Sequence, residues 1–241
     1  MKAAVYAGTR NLYGEISTSA KSLVANSDVT DIFVLAEDAT IGDVPEMVHV
    51  IDMEGQSWFD LNGPNVKPRY TYMALLRAAL CHILTDLDVV LSLDCDTVAV
   101  YDCSHVWDIP LDGCYFAATQ ERWAKIRPGL QYCNTGVALM NLRQLRDGKA
   151  DEIISVLNTH YLRWPEQDAL NYLCQGRIAE MPAEFNVNPW TVDAFAPETI
   201  VHYAALNDWK TEKYLSLKKY ADYYAGMSWQ EAMQRHAEKV R

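Results

Sequence analysis

The first half of the chain alternates short apolar runs with helical patterns, and that alternation limits the fold more than any other feature of the sequence. The run "AAVYA" is followed by the helix-like "GEISTSAKSLVAN", then by "DIFVLAE" and "VHVID", then by a helical stretch over about 72–84 and by "VVLSL". Continuous apolar runs of this length suit strands buried on both faces, and parallel strands need crossovers between them. The pattern predicts an α/β fold with a mostly parallel central sheet. The stretch 72–84 carries Leu75, Leu76, Ala79, Leu80, Ile83 and Leu84 on one broad apolar face, with Arg77 on its flank. Beyond it, "YFAATQ", "GVALMNL", a helix over about 142–160, another over about 165–174 and "TIVHYA" extend the pattern. No internal repeat or low-complexity linker divides it, so the simplest organisation is one domain over 1–208 with a helical C-terminal tail over 209–241.

Composition narrows function by exclusion. Half of the 241 residues are hydrophobic, yet no uncharged run approaches the ~18–20 apolar residues of a membrane span. The opening "MKAAVYAG" has too short an apolar run for a signal-peptide core and is expected to be a first strand. The six cysteines form no C-x-x-C pair and mostly sit in apolar runs, which fits reduced thiols in a cytoplasmic protein. A net charge of -11 argues against nucleic acid as a partner, because phosphate backbones are bound by basic patches. It also means that an anionic ligand needs local help.

That help is expected where "VVLSL" ends and "DCD" places Asp94 and Asp96 around Cys95. Ligands of open α/β sheets bind at the carboxyl ends of strands. Alternate residues of an extended segment point the same way, so the two carboxylates share one side while Cys95 faces the other. Such a pair suits Mg²⁺ or Mn²⁺, whose remaining ligands are waters and phosphate oxygens. Without a cation, a phosphate about 4 Å from a carboxylate is repelled by about 4 kcal/mol per charge pair at an effective dielectric near 20. The plain alternative is a turn, where Asp is common, and the D-x-D alone does not separate the two.

Three further stretches, "YCNTGVALMNL", "WPEQDALN" and "IVHY", stand in order and spacing with "LSLDCD", and together they resemble glycosyltransferase family 8. The resemblance covers roughly residues 2–210. It implies a GT-A fold, a Rossmann-like single α/β domain with a mixed, mostly parallel central sheet, which binds a nucleotide sugar, usually a UDP-sugar, with Mn²⁺. It also implies that Asp94 and Asp96 hold the metal and that His202 completes the site as a neutral imidazole from a late strand. Arg77 stands where the family has a basic residue that approaches the nucleotide and the aspartates; read alone it is a solvated arginine. Ala7, Thr9 and Asn11 match positions that hold the base and ribose. Asn134 and Gly136 match an N-x-G motif at the sugar, whereas "NTG" read alone is a turn before a strand. Gln167 and Asp168 match a pair beneath the anomeric carbon, and read alone they are the exposed first turn of a helix.

The implied reaction is retaining transfer of a hexose, glucose or galactose, from a UDP-sugar to a saccharide or other hydroxyl acceptor. Mn²⁺ is the expected cofactor and Mg²⁺ the alternative. The Gln167 carbonyl oxygen is expected to stabilise the oxocarbenium-like centre while Asp168 holds the donor sugar. Glutamine is a poor nucleophile, so front-face attack is favoured over the covalent route of retaining glycosidases, with Asp168 as nucleophile the other route. The sequence departs from the family at Leu12, where a Tyr often stacks on the base and neighbouring Tyr13 is the nearest substitute. Thr119 and Gln120 replace an Asp near the sugar. The late motif H-x-x-G-x-x-K-P-W reads "HYAALNDWK", with Ala205 at the glycine and Asp208 near the lysine, which leaves Lys210 to reach the diphosphate. Two other functions compete. A nucleotidyltransferase or nucleotide-sugar pyrophosphatase would also use an acidic metal site, and a UDP-sugar-binding homologue without turnover would fit the altered late motif.

The tail is a separate electrostatic object, with a charge of +3 from Trp209 onward against -14 for the rest. Tyr214, Leu217, Ala221 and Tyr224 recur at helical spacing, Gly226 interrupts, and "SWQE" has the capping-box arrangement for a second helix. Lys210, Lys213, Lys218 and Lys219 among the tyrosines fit weak peripheral contact with the inner face of an anionic membrane. The narrow stripe favours packing on the catalytic domain instead.

Overall fold

The run Ala3–Gly8 is buried along nearly its whole length because both of its edges are paired, to Asp31–Ala36 on one side and to Val89–Leu93 on the other. The structure, a computed structural model, describes residues 1–38, 40–67, 71–127, 129–191, 198–204 and 215–240. Its strands are β1 (Ala3–Gly8), β2 (Asp31–Ala36), β3 (Val48–Asp52), β4 (Val89–Leu93), β5 (Thr97–Ala99), β6 (Phe116–Gln120), β7 (Cys133–Asn141), β8 (Ile178–Glu180) and β9 (Ile200–His202). Its α-helices are α1 (Tyr13–Asn26), α2 (Tyr72–Leu75), α3 (Leu80–Ile83), α4 (Arg122–Lys125), α5 (Leu142–Leu145), α6 (Lys149–Thr159), α7 (Pro165–Leu173), α8 (Leu215–Gly226) and α9 (Trp229–Lys239).

The central sheet has seven strands in the order β3-β2-β1-β4-β7-β6-β8. Strand β7 runs antiparallel to both neighbours, and every other pairing in this sheet is parallel. The mostly parallel sheet is the one expected from the strand–helix alternation, and its mixed character is the one the family resemblance implies. Side chains alternate across β1, so Ala4 and Tyr6 join the core against Ile16, Ala20, Leu23 and Val24 of α1, while Ala3 and Val5 join Leu76, Leu80, Ile153 and Leu170 on the other face. Strands β5 and β9 form a separate antiparallel ladder beside the carboxyl end of β4.

Two expected helices are interrupted, each for a local reason. The stretch 72–84 tightens to a 3₁₀ turn at Leu76–Ala79, which lies between α2 and α3 and aims Arg77 at the sheet, where its Nε donates to Ser92 Oγ at 2.8 Å. The helix expected over 142–160 breaks at Asp147 and Gly148. Gly148 has φ 101°, a left-handed conformation that glycine adopts without steric cost, and the Asp147 carboxylate accepts from Lys149 N at 3.2 Å. The Asp-Gly dipeptide was the available turn signal.

The tail folds back on α1. Ala221, Tyr224, Met227 and Ala232 share one buried cluster with the α1 face, and Lys21 Nζ donates to the Met227 carbonyl at 2.7 Å. The expected capping box is present in full at Ser228 and Glu231. The expected boundary near 208, together with Ala205, Asp208, Lys210, Lys213 and Tyr214, lies outside the described residues, as do the side chains of Leu217 and Lys218.

Candidate active site

Asp94 begins the tight turn that ends β4, and β5 starts at Thr97; the two aspartates therefore lie in a turn, closed by Thr97 N donating to the Asp94 carbonyl at 3.3 Å, and not on the extended segment expected from sequence. In the β5–β9 ladder Thr97 faces His202, so cross-strand pairing, not sequence proximity, brings the imidazole beside the two aspartates. One ligand atom from each of Asp94, Asp96 and His202 lies within 4.8 Å of the others. His202 Nε2 is 3.5 Å from Asp94 Oδ2 and 3.3 Å from Asp96 Oδ1. Burial lowers the imidazole pKa, but Asp96 and Asp94 outweigh it and lift the group to about 9. Burial also works against the Asp94 charge, yet Arg77 and His202 hold that carboxyl well below the usual range.

The other ring nitrogen settles the tautomer. His202 Nδ1 lies 2.9 Å from Asn186 Oδ1, and the Asn186 amide is oriented by donating from Nδ2 to Asn134 Oδ1 at 3.0 Å. Asn188 Nδ2 donates to the same Asn186 oxygen at 2.8 Å. With Asn186 Oδ1 acting as the acceptor, Nδ1 carries a proton and Nε2 is the atom turned to the carboxylates. This is the outer-shell support that metal-binding histidines use. Two carboxylates and one imidazole, with room for further oxygen ligands, fit a divalent ion of the Mn²⁺ or Mg²⁺ type.

Gly136 sits against this corner. A Cβ there would lie 2.0 Å from His202 Cε1, and the Gly136 carbonyl accepts from Asp94 N at 2.7 Å. The reason is a bulge. Along β6 and β7, Ala118 pairs with Ala138 but Thr119 pairs with Asn134, so residues 135–137 have no partners on β6, although Val137 still pairs with Leu93 of β4. "NTG" is therefore a deformed part of strand β7, not a turn before it. The extra residues carry the chain toward the metal corner and leave Thr135 free to serve α7, since its N–H donates to Gln167 Oε1 at 3.1 Å and its hydroxyl donates to Glu166 Oε2 at 3.1 Å.

Helix α7 begins with Pro165, and its first turn presents Glu166, Gln167 and Asp168. Gln167 is half-buried and fixed at both ends, with Oε1 accepting from Thr135 and Nε2 donating to Glu121 Oε1 at 3.0 Å. Asp168 is buried and turns both oxygens inward, accepting from Tyr132 OH and, at 2.9 Å, from Trp164 N. Glu166 was not singled out from sequence. It is 8% exposed, and Arg77 bridges it to the metal corner, donating from Nη1 to Glu166 Oε2 at 3.1 Å and from Nη2 to Asp94 Oδ1 at 2.7 Å. Burial raises the Glu166 pKa more than Arg77 lowers it, and Glu166 Oε1 is buried without a hydrogen-bond partner. Arg77 is thus a buried cross-brace, not a solvated flank.

Across the carboxyl ends of β1 and β4, Ala7, Met73, Arg77, Ser92 and Asp94 line a cavity of about 40 Å³. Thr9 and Asn11 follow β1, and Thr9 Oγ1 lies 2.6 Å from Asn11 Oδ1. An open cleft of about 390 Å³ continues over the ends of β1, β2 and β3, lined by Arg10, Glu37, Asp38 and Tyr72 among others. Tyr13 commits its hydroxyl to the Asp38 carbonyl at 2.9 Å, so Tyr72 is the aromatic that lines this cleft. Sequence reasoning missed Glu166, Asn186, Tyr132 and Glu121. The alternation "NVN" at Asn186 and Asn188 repeats the D-x-D spacing and was the one local signal for any of them.

The fold has known counterparts. The galactosyltransferase LgtC, solved in complex with donor and acceptor sugar analogs, superposes with a TM-score of 0.73 at 19% identity, covering 93% of this chain and 95% of that one. GlyE, a glycosyltransferase of Streptococcus pneumoniae TIGR4, superposes with a TM-score of 0.71 at 19% identity, covering 99% of this chain and 64% of that one. At these identities the likeness shows a shared fold. In sequence, the lipopolysaccharide 1,2-glucosyltransferase of Escherichia coli strain K12 is 32% identical over 113 residues, which is 42% of this chain and 33% of that protein. The chain spans less than half the length of each of three curated relatives. The model of glycosyl transferase family 8 matches residues 5–213, and the chain belongs to that family.

Proposed function

We propose that the protein transfers a hexose, glucose or galactose, from a UDP-sugar to a hydroxyl acceptor with retention of configuration and with Mn²⁺ at Asp94, Asp96 and His202. The observation that carries the proposal is the shared position of Gly136 and its bulge. One strand deformation abuts the metal ligands and also pins Gln167, so charge stabilisation and sugar positioning are built as one unit. An imidazole beside two carboxylates favours Mn²⁺ over the harder Mg²⁺. A bound divalent ion would bridge the diphosphate and stabilise the negative charge that develops as it departs.

The chain's own residues account for the rest. Arg77, held by Glu166 and Ser92, keeps Asp94 ionised and oriented. Ala7, Thr9 and Asn11 take the nucleoside, with Tyr72 as the aromatic wall of the base cleft, and Lys210 serves the diphosphate. Asn134, Gly136 and the uncommitted Glu166 Oε1 take donor-sugar hydroxyls. Gln167 presents its carbonyl oxygen to the anomeric centre as positive charge grows there. Thr135 occupies one acceptor direction of that oxygen and leaves the other for the sugar. Asp168 acts one step back, because its two oxygens are taken by Tyr132 and Trp164, and this supports front-face attack over a covalent Asp168 intermediate.

The test is incubation with a panel of nucleotide sugars and Mn²⁺, with a chelated control, followed by identification of the nucleotide released. Metal-dependent UDP from one donor is the expected result and names the sugar. Release of UMP or pyrophosphate would move the chemistry to phosphorus and overturn the reading. UDP binding without any release, with acceptors present, would favour the binding homologue.

A further inference from the structure

Gln167 stands between two surfaces of opposite character. On the nucleotide side, the cleft over β1 to β3 is lined by Glu37, Asp38 and Glu54 against Arg10. On the other side, the loop from β6 to β7 and the segment entering α7 form a rim of aromatic and basic residues. Strand β6 is parallel to β4, since both run against β7, so this loop rises from the same edge of the sheet as Asp94. It lies three strand spacings from β1, or about 14 Å.

The rim connects directly to the catalytic groups. Trp123 Nε1 donates to Glu121, whose other oxygen accepts from Gln167. The Trp123 ring packs at a tilt of 48° against Tyr132 with centroids 4.8 Å apart, and the Tyr132 centroid lies 5.8 Å from that of Tyr172. Trp164 immediately precedes α7. Trp164 and Tyr172 are 42% and 52% exposed, although large aromatic rings usually gain by burial. Over these rings stand cations, with the Arg127 guanidinium 5.3 Å from the Trp123 centroid and Arg163 5.7 Å from Trp164. The loop segment "RWAKIRPGLQ" holds three basic residues and no acid, in a chain of net charge -11. Lys125, Arg127 and Arg163 are exposed, and among the described residues no carboxylate lies within ion-pair distance of them.

We propose that this rim receives the acceptor and that the acceptor is an anionic saccharide, carrying a phosphate or carboxylate, with its ring on Trp164 or Tyr172 and its charge at Lys125, Arg127 and Arg163. Exposed aromatic faces suit the apolar side of a sugar ring, and forked guanidinium groups suit phosphate and carboxylate oxygens. A neutral acceptor would give no use to three cations held beside the reaction centre in an acidic protein. The placement of the acceptor rests on the transfer reading above.

Saturation-transfer NMR titrations of the whole protein with glucose, glucose 6-phosphate and glucuronate test the charge preference without requiring turnover. At about 0.02 M salt the charged sugars should bind about tenfold tighter than glucose, and the gap should close at about 0.5 M. The arm that binds tighter, phosphate or carboxylate, identifies the charge. The triple variant Lys125→Gln, Arg127→Gln, Arg163→Gln should lose the gap, and the single variant Arg127→Glu should reduce it if the triple folds poorly. Equal affinities in the native protein overturn the proposal, and so does a preference that survives the triple variant, which would place the anion at the diphosphate site. A donor panel that releases no UDP would instead strike the transfer reading and leave these titrations interpretable.

Discussion

The candidate metal corner and the proposed sugar corner touch at Gly136, yet they are built by different means. The candidate metal corner uses a turn and a ladder: Asp94 and Asp96 lie in the turn that leaves β4, closed by Thr97 N donating to the Asp94 carbonyl at 3.3 Å, and His202 is placed by the β5–β9 ladder with Asn186 behind it. The sugar corner uses a bulge and a helix start, with Thr135 from the deformed part of β7 holding the first turn of α7. The turn fixes the two carboxylates within three residues, and a regular strand pairing delivers the imidazole, so this corner is set by local geometry plus one ladder. A bulge fixes nothing by itself. Its meaning comes from the helix it meets 30 residues away in sequence, and the sugar corner is therefore set by tertiary contact.

The strongest way to break this comparison is Gly136→Ala, because the residue belongs to both corners. The new carbon would lie 2.0 Å from His202 Cε1, and the ring cannot move aside without leaving Asn186 or the carboxylates. Mn²⁺ affinity, read by electron paramagnetic resonance, and turnover should both fall by at least ~100-fold. If affinity stays within about threefold while turnover falls, the two corners are independent and the glycine serves the sugar alone.

The same division explains what the sequence made legible. The α/β architecture, β1 to β4, the capping box at Ser228 and the trio Asp94, Asp96, His202 followed from alternation, spacing and family resemblance, because each is encoded within a few residues or in motif order. The buried state of Arg77 was not legible, since its partners Ser92 and Glu166 are 15 and 89 residues away. Neither was the strand position of "NTG", because small polar residues signal turns and the bulge shows only against β6. Asn186 acts through a histidine that a later strand delivers, and only its alternation with Asn188 marked it.

A smaller effect sharpens the comparison from the sugar side. Gln167→Ala removes the carbonyl proposed to face the developing positive charge and leaves Asp94, Asp96 and His202 in place. Turnover should fall by roughly 100-fold, with KM and Mn²⁺ affinity within about threefold of the native protein. Loss confined to KM would make Gln167 a ground-state contact and would leave the retaining mechanism without its proposed stabiliser.

The smallest effect comes from the metal corner alone, through proton linkage in the metal-free protein. His202 has its pKa raised from 6.5 to about 9 in the fold, where burial is outweighed by Asp96 and Asp94. A group raised on folding contributes stability that is fully present below its unfolded value and is lost as pH rises through the folded one. The chelated protein should therefore lose stability between pH 6.5 and about 9. Because Asp94 and Asp96 are partly open to solvent, with side chains 43% and 28% exposed, the fall in Tm should be modest, about 5 °C. Mn²⁺ reverses the sign, since ligation requires the neutral imidazole and competes better as the proton leaves. Thermal melts with chelator and with Mn²⁺ across this range should diverge steadily as pH rises, and His202→Gln should flatten the chelated curve. A chelated slope that persists in His202→Gln would assign the titration elsewhere and leave the metal corner without its electrostatic signature.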